Sequence, residues 1–450
     1  MSPVILLLVA SSAIIFLLLM VLVLRIHAFI GLLLVSIYVG LITKMPLETI
    51  YESVQNGMGG ILGFVAIIVG VGSIFGQILE SSGGAQQMAR RIVQTFGIEK
   101  SEWALTIIGF IIAIPIFLDV GFIILVPLVY SLARSTGKST LFFAIPLLAG
   151  LAVTHSFIPP TPGPVAVADI LGAPLGMVIL FGFIVGIPCA VVAGPIFGKY
   201  IAKKIHLDPP KLEVAENEIP GKKFSLFSII FSILLPLILI VVSTLLEFLI
   251  ENGNLNSSLF TDAIMFLGHP FSALIIATFY AAIFLGLAGG YTKTQILDMA
   301  NKALGPAGVI ILVTGAGGVF KQVLVDSGVG QSLAEIMAGM PLSPLVLAYL
   351  LAVIIRVTQG SATVAMITAA GMIAPILDLA GTSGAYNALT VIAIASGATI
   401  LSHVNDSGFW LIGKYLGMTE KQTLKSWTVM ETIISVVGFA LTLLLSLFII

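Results

Sequence analysis

Three ionisable side chains interrupt hydrophobic runs in which such groups are costly: Asp119 in "FLDVG", His155 in "THSFIPPTPGPVAVAD" and His403 in "ILSHVNDSGFW". An apolar setting raises a carboxyl's pKa towards neutrality, and an imidazole titrates near physiological pH by nature, so these three are the candidates for proton coupling. Neutral hydrogen-bonding groups suited to a polyol stand around them: Thr154, Thr161, Thr358, Gln359, Ser361, Thr363 and Asn405. Asp406 and both histidines join this substrate-binding set, and Gly163 and Gly360 would let backbone N–H groups approach a ligand closely. Arg356 suits either a substrate carboxylate or a fixed acid. The chain has neither H-E-x-x-H nor G-x-x-x-x-G-K-[ST], so zinc proteolysis and nucleotide hydrolysis do not fit, and no metal or cofactor is expected.

The elements that must position these residues are membrane helices. Of 450 residues, 58% are hydrophobic and 9% charged, with mean hydropathy +1.17; a soluble domain carries about 25% charged residues. Apolar runs do not alternate as barrel strands do, so the reading is an all-α polytopic membrane protein. The net charge of −1 gives no nucleic-acid partner, and the single Cys189 excludes an intrachain disulfide. Spans are expected near 3–24, 28–44, 57–80, 140–168, 174–198, 224–250, 263–288, 304–325, 385–413 and 428–450. Lys and Arg mark cytoplasmic loops: the 199–223 linker, the 86–102 loop with Arg90, Arg91 and Lys100, and Arg134 with Lys138. Segment 103–133 lies between two such loops and is too short to cross twice. It is expected to be a re-entrant hairpin turning near 117–121, and 342–379 a second one turning at 358–363. Both termini then lie outside. Glu80, Asp169 and Asp326 read as solvated span ends, and Trp103, Trp410 and Trp427 as interfacial anchors.

The pattern repeats. "GSIFGQILESSGGAQ" (72–86) returns as "GGVFKQVLVDSGVGQ" (317–331), with Phe75 on Phe320 and Gln77 on Gln322, an offset of 245. Gly163 falls on Gly408 by the same offset, and His155 lies 248 before His403. The charge pattern runs the halves in opposite directions, so 1–223 and 224–450 are expected to be inverted-topology repeats, each holding a hairpin and a broken helix (140–168 and 385–413). Such repeats place substrate sites at mid-membrane helix breaks. Prolines and glycines there would free helix N-termini, which attract anions, after Asp119, Gly163, Gly360 and Gly408.

"VTHSFIPPTPGPVAVA", "FLDVGFIILVPLV", "GGVFKQVLVDSG", "GSATVAMITAAG" and "SHVNDSGFWL" resemble the motifs of the gluconate permease family, over essentially the whole chain. The resemblance implies an elevator-type transporter of the bacterial cytoplasmic membrane that imports gluconate or a related sugar acid by proton symport. A sodium-coupled carboxylate carrier and a D-serine/proton symporter of the same architecture are the alternatives. Expected partners are a sugar-acid anion, a proton and the lipid bilayer, with a homodimer as the candidate assembly. The chain departs from the family pattern at Leu118-Asp119, where Tyr-Glu is expected, and at Thr161, where His is expected.

Overall fold

A computed structural model describes residues 3–210, 224–251, 253–329, 332 and 343–449. Every regular element among them is helical. The first half comprises α1 (Pro3–Leu18), α2 (Ala28–Ile42), α3 (Leu47–Ser81), α4 (Gly84–Phe96), α5 (Ser101–Ile112), α6 (Leu118–Thr136), α7 (Leu141–Phe157), α8 (Pro162–Ile170) and α9 (Leu175–Lys204). The second comprises α10 (Leu226–Glu251), α11 (Leu259–Gly268), α12 (Pro270–Leu287), α13 (Lys293–Asp326), α14 (Pro344–Gln359), α15 (Ala362–Ala380), α16 (Gly384–Thr399), α17 (Ser407–Leu416) and α18 (Glu420–Ser446). Nine helical segments among the described residues are long and apolar enough to cross a membrane, which makes this a multi-pass membrane protein.

Several boundaries differ from the expected spans, each for a local reason. Helices α3 and α13 begin about ten residues before their apolar runs, at Leu47 and Lys293. Their first turns are polar, and Thr292 with Gln295 forms a capping box that starts α13 there. The expected span 263–288 is two helices, because His269 ends α11 and Pro270 opens α12. The expected loop 86–102 is mostly the amphipathic helix α4, which buries Met88, Ala89, Ile92 and Val93 and exposes Arg90 and Arg91. In the linker, 199–204 still belongs to α9, 205–210 is irregular, and 211–223 lies outside the described residues, as do 342 at the start of the second hairpin and Gln331 at the end of the repeated motif.

The breaks fall where Pro and Gly punctuate the apolar runs. Helix α7 stops before Pro159-Pro160, and Pro162 supplies the first turn of α8. The first hairpin turns over 113–117, a few residues before the expected place, because Pro115 lacks an N–H and Phe117 is extended. The second turns at Gly360–Ser361. Gly360 has φ +78°, which suits glycine, and Ser361 accepts from the Val364 N–H as the cap of α15. The break between α16 and α17 covers 400–406.

Glycines fix how these helices pack. The long pair α3 and α13 lie antiparallel. Ser53 donates to Asp326 (2.6 Å) at one end, and Tyr291, just before α13, donates to the Ser81 carbonyl (2.6 Å) at the other. Between them, a Cβ on Gly57 would sit 2.7 Å from the Gly318 carbonyl oxygen, so the backbones touch. Helices α7 and α16, the two that run into breaks, are almost wholly buried. Gly109 and Gly150 press α5 against α7, where added Cβ atoms would each approach a facing carbonyl oxygen to 2.3 Å. Gly397 does the same for α14 against α16, 2.5 Å from the Tyr349 carbonyl. Each hairpin's first arm is thereby seated on a broken helix.

Candidate functional site

The first hairpin tip meets the first break. Ile114 to Phe117 lie beside Pro160, Thr161 and Pro162, with Gly72 and Ser73 of α3 completing the wall. Next to it opens a cavity of about 290 Å³ lined by Ser73, Gly76, Gln77 and Glu80 of α3, the tip residues Phe117 and Asp119, and Pro306 of α13. Asp119 is exposed in the first turn of α6 and does not cap it, since Phe117 holds that position. That corrects the expectation of a helix N-terminus after Asp119. Asp119 lies within electrostatic reach of both Glu80 and His155. The His155 ring stands edge-on to Phe117 at 6.0 Å, and its Nδ1 is buried with no hydrogen-bond partner. The neighbouring Thr154 hydroxyl is equally unpaired.

Of two further candidates at this break, one is already bonded and the other is covered on its Cβ side. The Thr161 hydroxyl donates to the Ile158 carbonyl (2.7 Å). Gly163 is covered by hairpin two, with the Met366 sulfur 2.8 Å from where its Cβ would be. Pro162 and Pro164 have no N–H, so Gly163 is the sole donor free in that first turn.

The second tip is clamped onto the second break. His403 Nε2 meets the Val357 carbonyl (3.0 Å), and Asn405 donates to the carbonyls of Val357 (2.9 Å) and Thr358 (3.3 Å). Arg356 donates to the Gly360 carbonyl and to Asp406 (2.5 Å). The fixed-acid reading of Arg356 is therefore the one the geometry carries. Asp406 also caps the Gly408 N–H (3.0 Å) and accepts from Ser402, so α17 begins at Ser407 rather than after Gly408. The Thr358 hydroxyl is spent on Ile354 and Ile355 within its own helix. Thr363 lies half-buried in the first turn of α15. Gln359 differs from its neighbours: both its amide oxygen and nitrogen are buried without partners.

The expected residues thus assemble as two pairs of tip and break, and contacts of α8 with α15 bridge them. Some participants were read otherwise in the sequence. Glu80 is a cavity wall rather than a solvated span end; the spacing of Ser73, Gln77 and Glu80 along one face of an apolar helix is the signal that marks it. Trp427 is 2% exposed and donates to Ser402 (2.6 Å), so it braces the second break instead of anchoring at an interface, while Trp103 and Trp410 are exposed. Thr368 also carries an unpaired buried hydroxyl, two turns into α15.

The GntP family permease profile matches residues 4–448. The chain is 41% identical over 427 residues to the gluconate permease of Pseudomonas aeruginosa, covering 94% of this chain and 93% of that one. It is 41% identical to the low-affinity gluconate transporter of Escherichia coli K12, over 92% of each. The Gnt-II system L-idonate transporter of the same organism is 40% identical, over 92% of this chain and 93% of that one. Among solved structures, the YdaH transporter of Alcanivorax borkumensis matches with TM-score 0.62 at 16% identity, over 88% of this chain and 89% of that one. MtrF of Neisseria gonorrhoeae matches with TM-score 0.61 at 14% identity, over 88% and 84%. At those identities the likeness concerns the fold alone. Broken helices, apolar spans and a profile covering nearly every residue agree: this membrane protein is a transporter rather than an enzyme, and it belongs to the GntP family of permeases.

Proposed function

We propose that the protein imports gluconate or a closely related sugar acid by proton symport, using two inverted repeats in an elevator-type cycle. One observation carries the reading. Thr154, His155 and Gln359 present buried, unpartnered polar atoms beside the two breaks, and Asp119 lines a cavity at the first tip. Buried polar groups are normally satisfied, so unpaired ones at helix breaks suit a ligand with many hydroxyls and one carboxylate. Gluconate and L-idonate, the compounds in the relatives' names, are both six-carbon sugar acids of this kind. Asp119 and His155 are the proton carriers best placed, since both face the first tip and neither is tied by a hydrogen bond; His403 is already engaged with Val357.

Contacts support the inverted repeat. Gly182 lies against the Phe157 carbonyl, and 245 residues later Trp427 bonds Ser402. Cys189 meets the Ile434 carbonyl of the equivalent helix, again 245 residues apart. Repeat-equivalent α3 and α13 run antiparallel, as the inversion requires.

The test is uptake into proteoliposomes holding purified protein. A pH gradient, acid outside, should drive accumulation of labelled gluconate, and a sodium gradient should not; sodium-driven uptake alone would refute proton symport. A competition panel of hexonates, ketogluconates, hexuronates and D-serine identifies the substrate. Asp119→Asn should lose pH-driven accumulation while substrate exchange stays measurable, and wild-type coupling in that variant would remove Asp119 from the mechanism.

A further inference from the structure

Beyond the site residues above, two acids are buried among the described residues: Glu102, paired with Lys199 (2.7 Å), and Glu431. Glu431 is 4% exposed on α18. One turn earlier on the same helix face, Trp427 donates to the Ser402 hydroxyl and Thr428 donates to the Ser402 carbonyl. Ser402 in turn donates to Asp406, the partner of Arg356. This spacing of three and four residues turns Glu431 towards the Arg356–Asp406 pair, and it lies within electrostatic reach of both. The cluster therefore holds one guanidinium and two carboxyl groups in a buried setting. Arg356 stays charged, so ionising both acids would leave one negative charge uncompensated where desolvation makes that costly. Asp406 has the guanidinium, the Ser402 hydroxyl and the Gly408 N–H to hold its charge.

Among the described residues, several other titratable groups stand on α18 or on elements packed against it: Lys199 of α9 pairs with Glu102 (2.7 Å), Tyr200, Lys203, Lys204, Lys414 and Glu420 are exposed, the Tyr415 ring of α17 stands edge-on to Phe122, and Tyr386 of α16 is half-buried. Cys189 of α9 meets the Ile434 carbonyl, and Tyr349 of α14 bonds Ser435. His403 bonds Val357, His155 of α7 faces Phe117, and Lys421 and Lys425 are exposed.

We propose that Glu431 is a proton-binding residue of the transport cycle, protonated while Arg356 is paired with Asp406 and the second hairpin tip is held on its break. Loss of that proton, which passes to water on the open side, leaves a second carboxylate competing for the one guanidinium. Arg356 also holds the Gly360 carbonyl, so weakening its bond to Asp406 loosens the tip. Proton release at α18 is thereby converted into hairpin opening. The first tip has no counterpart: at offsets of 243 to 247 Arg356 falls within 109–113, where no residue is ionisable, and at 245 Glu431 falls on Gly186.

The inference rests on the proton-symport reading, and one set of proteoliposome measurements separates the two. Wild-type protein must first accumulate gluconate under an imposed pH gradient; failure there overturns the symport reading itself. Given that result, Glu431→Gln, which copies the neutral acid and so holds the tip on its break, should not accumulate substrate beyond equilibration, and its residual exchange should be slower than that of the wild type and vary less with pH. Its Tm in detergent should equal or exceed that of the wild type. Accumulation like the wild type, or an unchanged pH profile of exchange, would overturn the role of Glu431. A destabilised or unfolded Glu431→Gln would overturn it as well, by showing that the charged carboxylate is what the fold requires.

Discussion

Replacing Gly360 with alanine tests whether the second tip is held on the break by backbone contact. Two costs arise, and the structure separates them. The residue has φ +78°, a left-handed conformation that costs an L-residue roughly 1–2 kcal/mol. The new Cβ would also lie 2.2 Å from the Asn405 carbonyl oxygen, and reaching ordinary contact at 3.4 Å requires a withdrawal of about 1.2 Å. A shift of that size breaks the bonds from Asn405 (2.9 Å) and His403 (3.0 Å) to Val357. At about 0.5–1.5 kcal/mol each, the penalty on the clamped state totals about 2–5 kcal/mol. A tenfold change in an equilibrium costs about 1.4 kcal/mol, so the ratio of clamped to open protein falls by more than an order of magnitude. The comparison is between two folded states, so glycine's entropy in the unfolded chain does not enter. Gly381→Ala is the control, because Gly381 shares the positive φ but has nothing within 4 Å of its Cβ position. A cysteine at Gln359, whose amide is buried in the clamped state, reports opening through its maleimide labelling rate; native Cys189 is buried. Faster labelling in Gly360→Ala than in Gly381→Ala is expected. Equal rates would refute the clamp.

The crossing of α3 and α13 should tolerate no side chain at its centre: Gly318→Leu is expected to abolish folded protein in size-exclusion chromatography, whereas Gly60→Ala, with nothing within 4 Å of the added Cβ, should be neutral. Gln359→Ala should raise the apparent Km for a sugar acid by roughly 5- to 150-fold, the equivalent of losing a group worth about 1–3 kcal/mol in a desolvated site. Thr161→Val should change Km far less, because that hydroxyl is already bonded to Ile158; the opposite ranking would relocate the site.

The breaks were legible because proline and glycine act locally. Pro159-Pro160, Gly360 and the polar 400–406 stretch stop helices whatever surrounds them, and all three interruptions lie in apolar runs. The extra turns of α3 and α13 were not, since a hydropathy window ends at the first polar residues while a capped helix continues through them. The fate of individual polar groups depended on distances no spacing encodes. Arg356 could have met either of two partners until Asp406 was found beside it. Thr161 counted as a ligand group, yet its hydroxyl turns back three residues to Ile158. Trp427 resembled an interfacial tryptophan by position, and only the seating of α18 against Ser402 buries it. Glu80 looked like the solvated end of a span, and it lines a cavity that the first hairpin walls with Asp119.

The pairing of α3 with α13 also has a consequence for the lipid around them. Charge-free residues 53–79 of α3 extend about 40 Å at 1.5 Å per residue, and 303–320 of α13 about 27 Å. A hydrocarbon core is about 30 Å thick. Two helices joined backbone to backbone cannot each choose a separate tilt to resolve that mismatch. The surplus of α3 ends in Ser73, Gly76 and Gln77, which face the cavity and so meet water rather than acyl chains. The shorter α13 then sets the membrane thickness this pair matches, and it does so near the lower end of the usual range. Acyl-chain length is accordingly part of the working conditions of this permease and not a neutral choice of solvent.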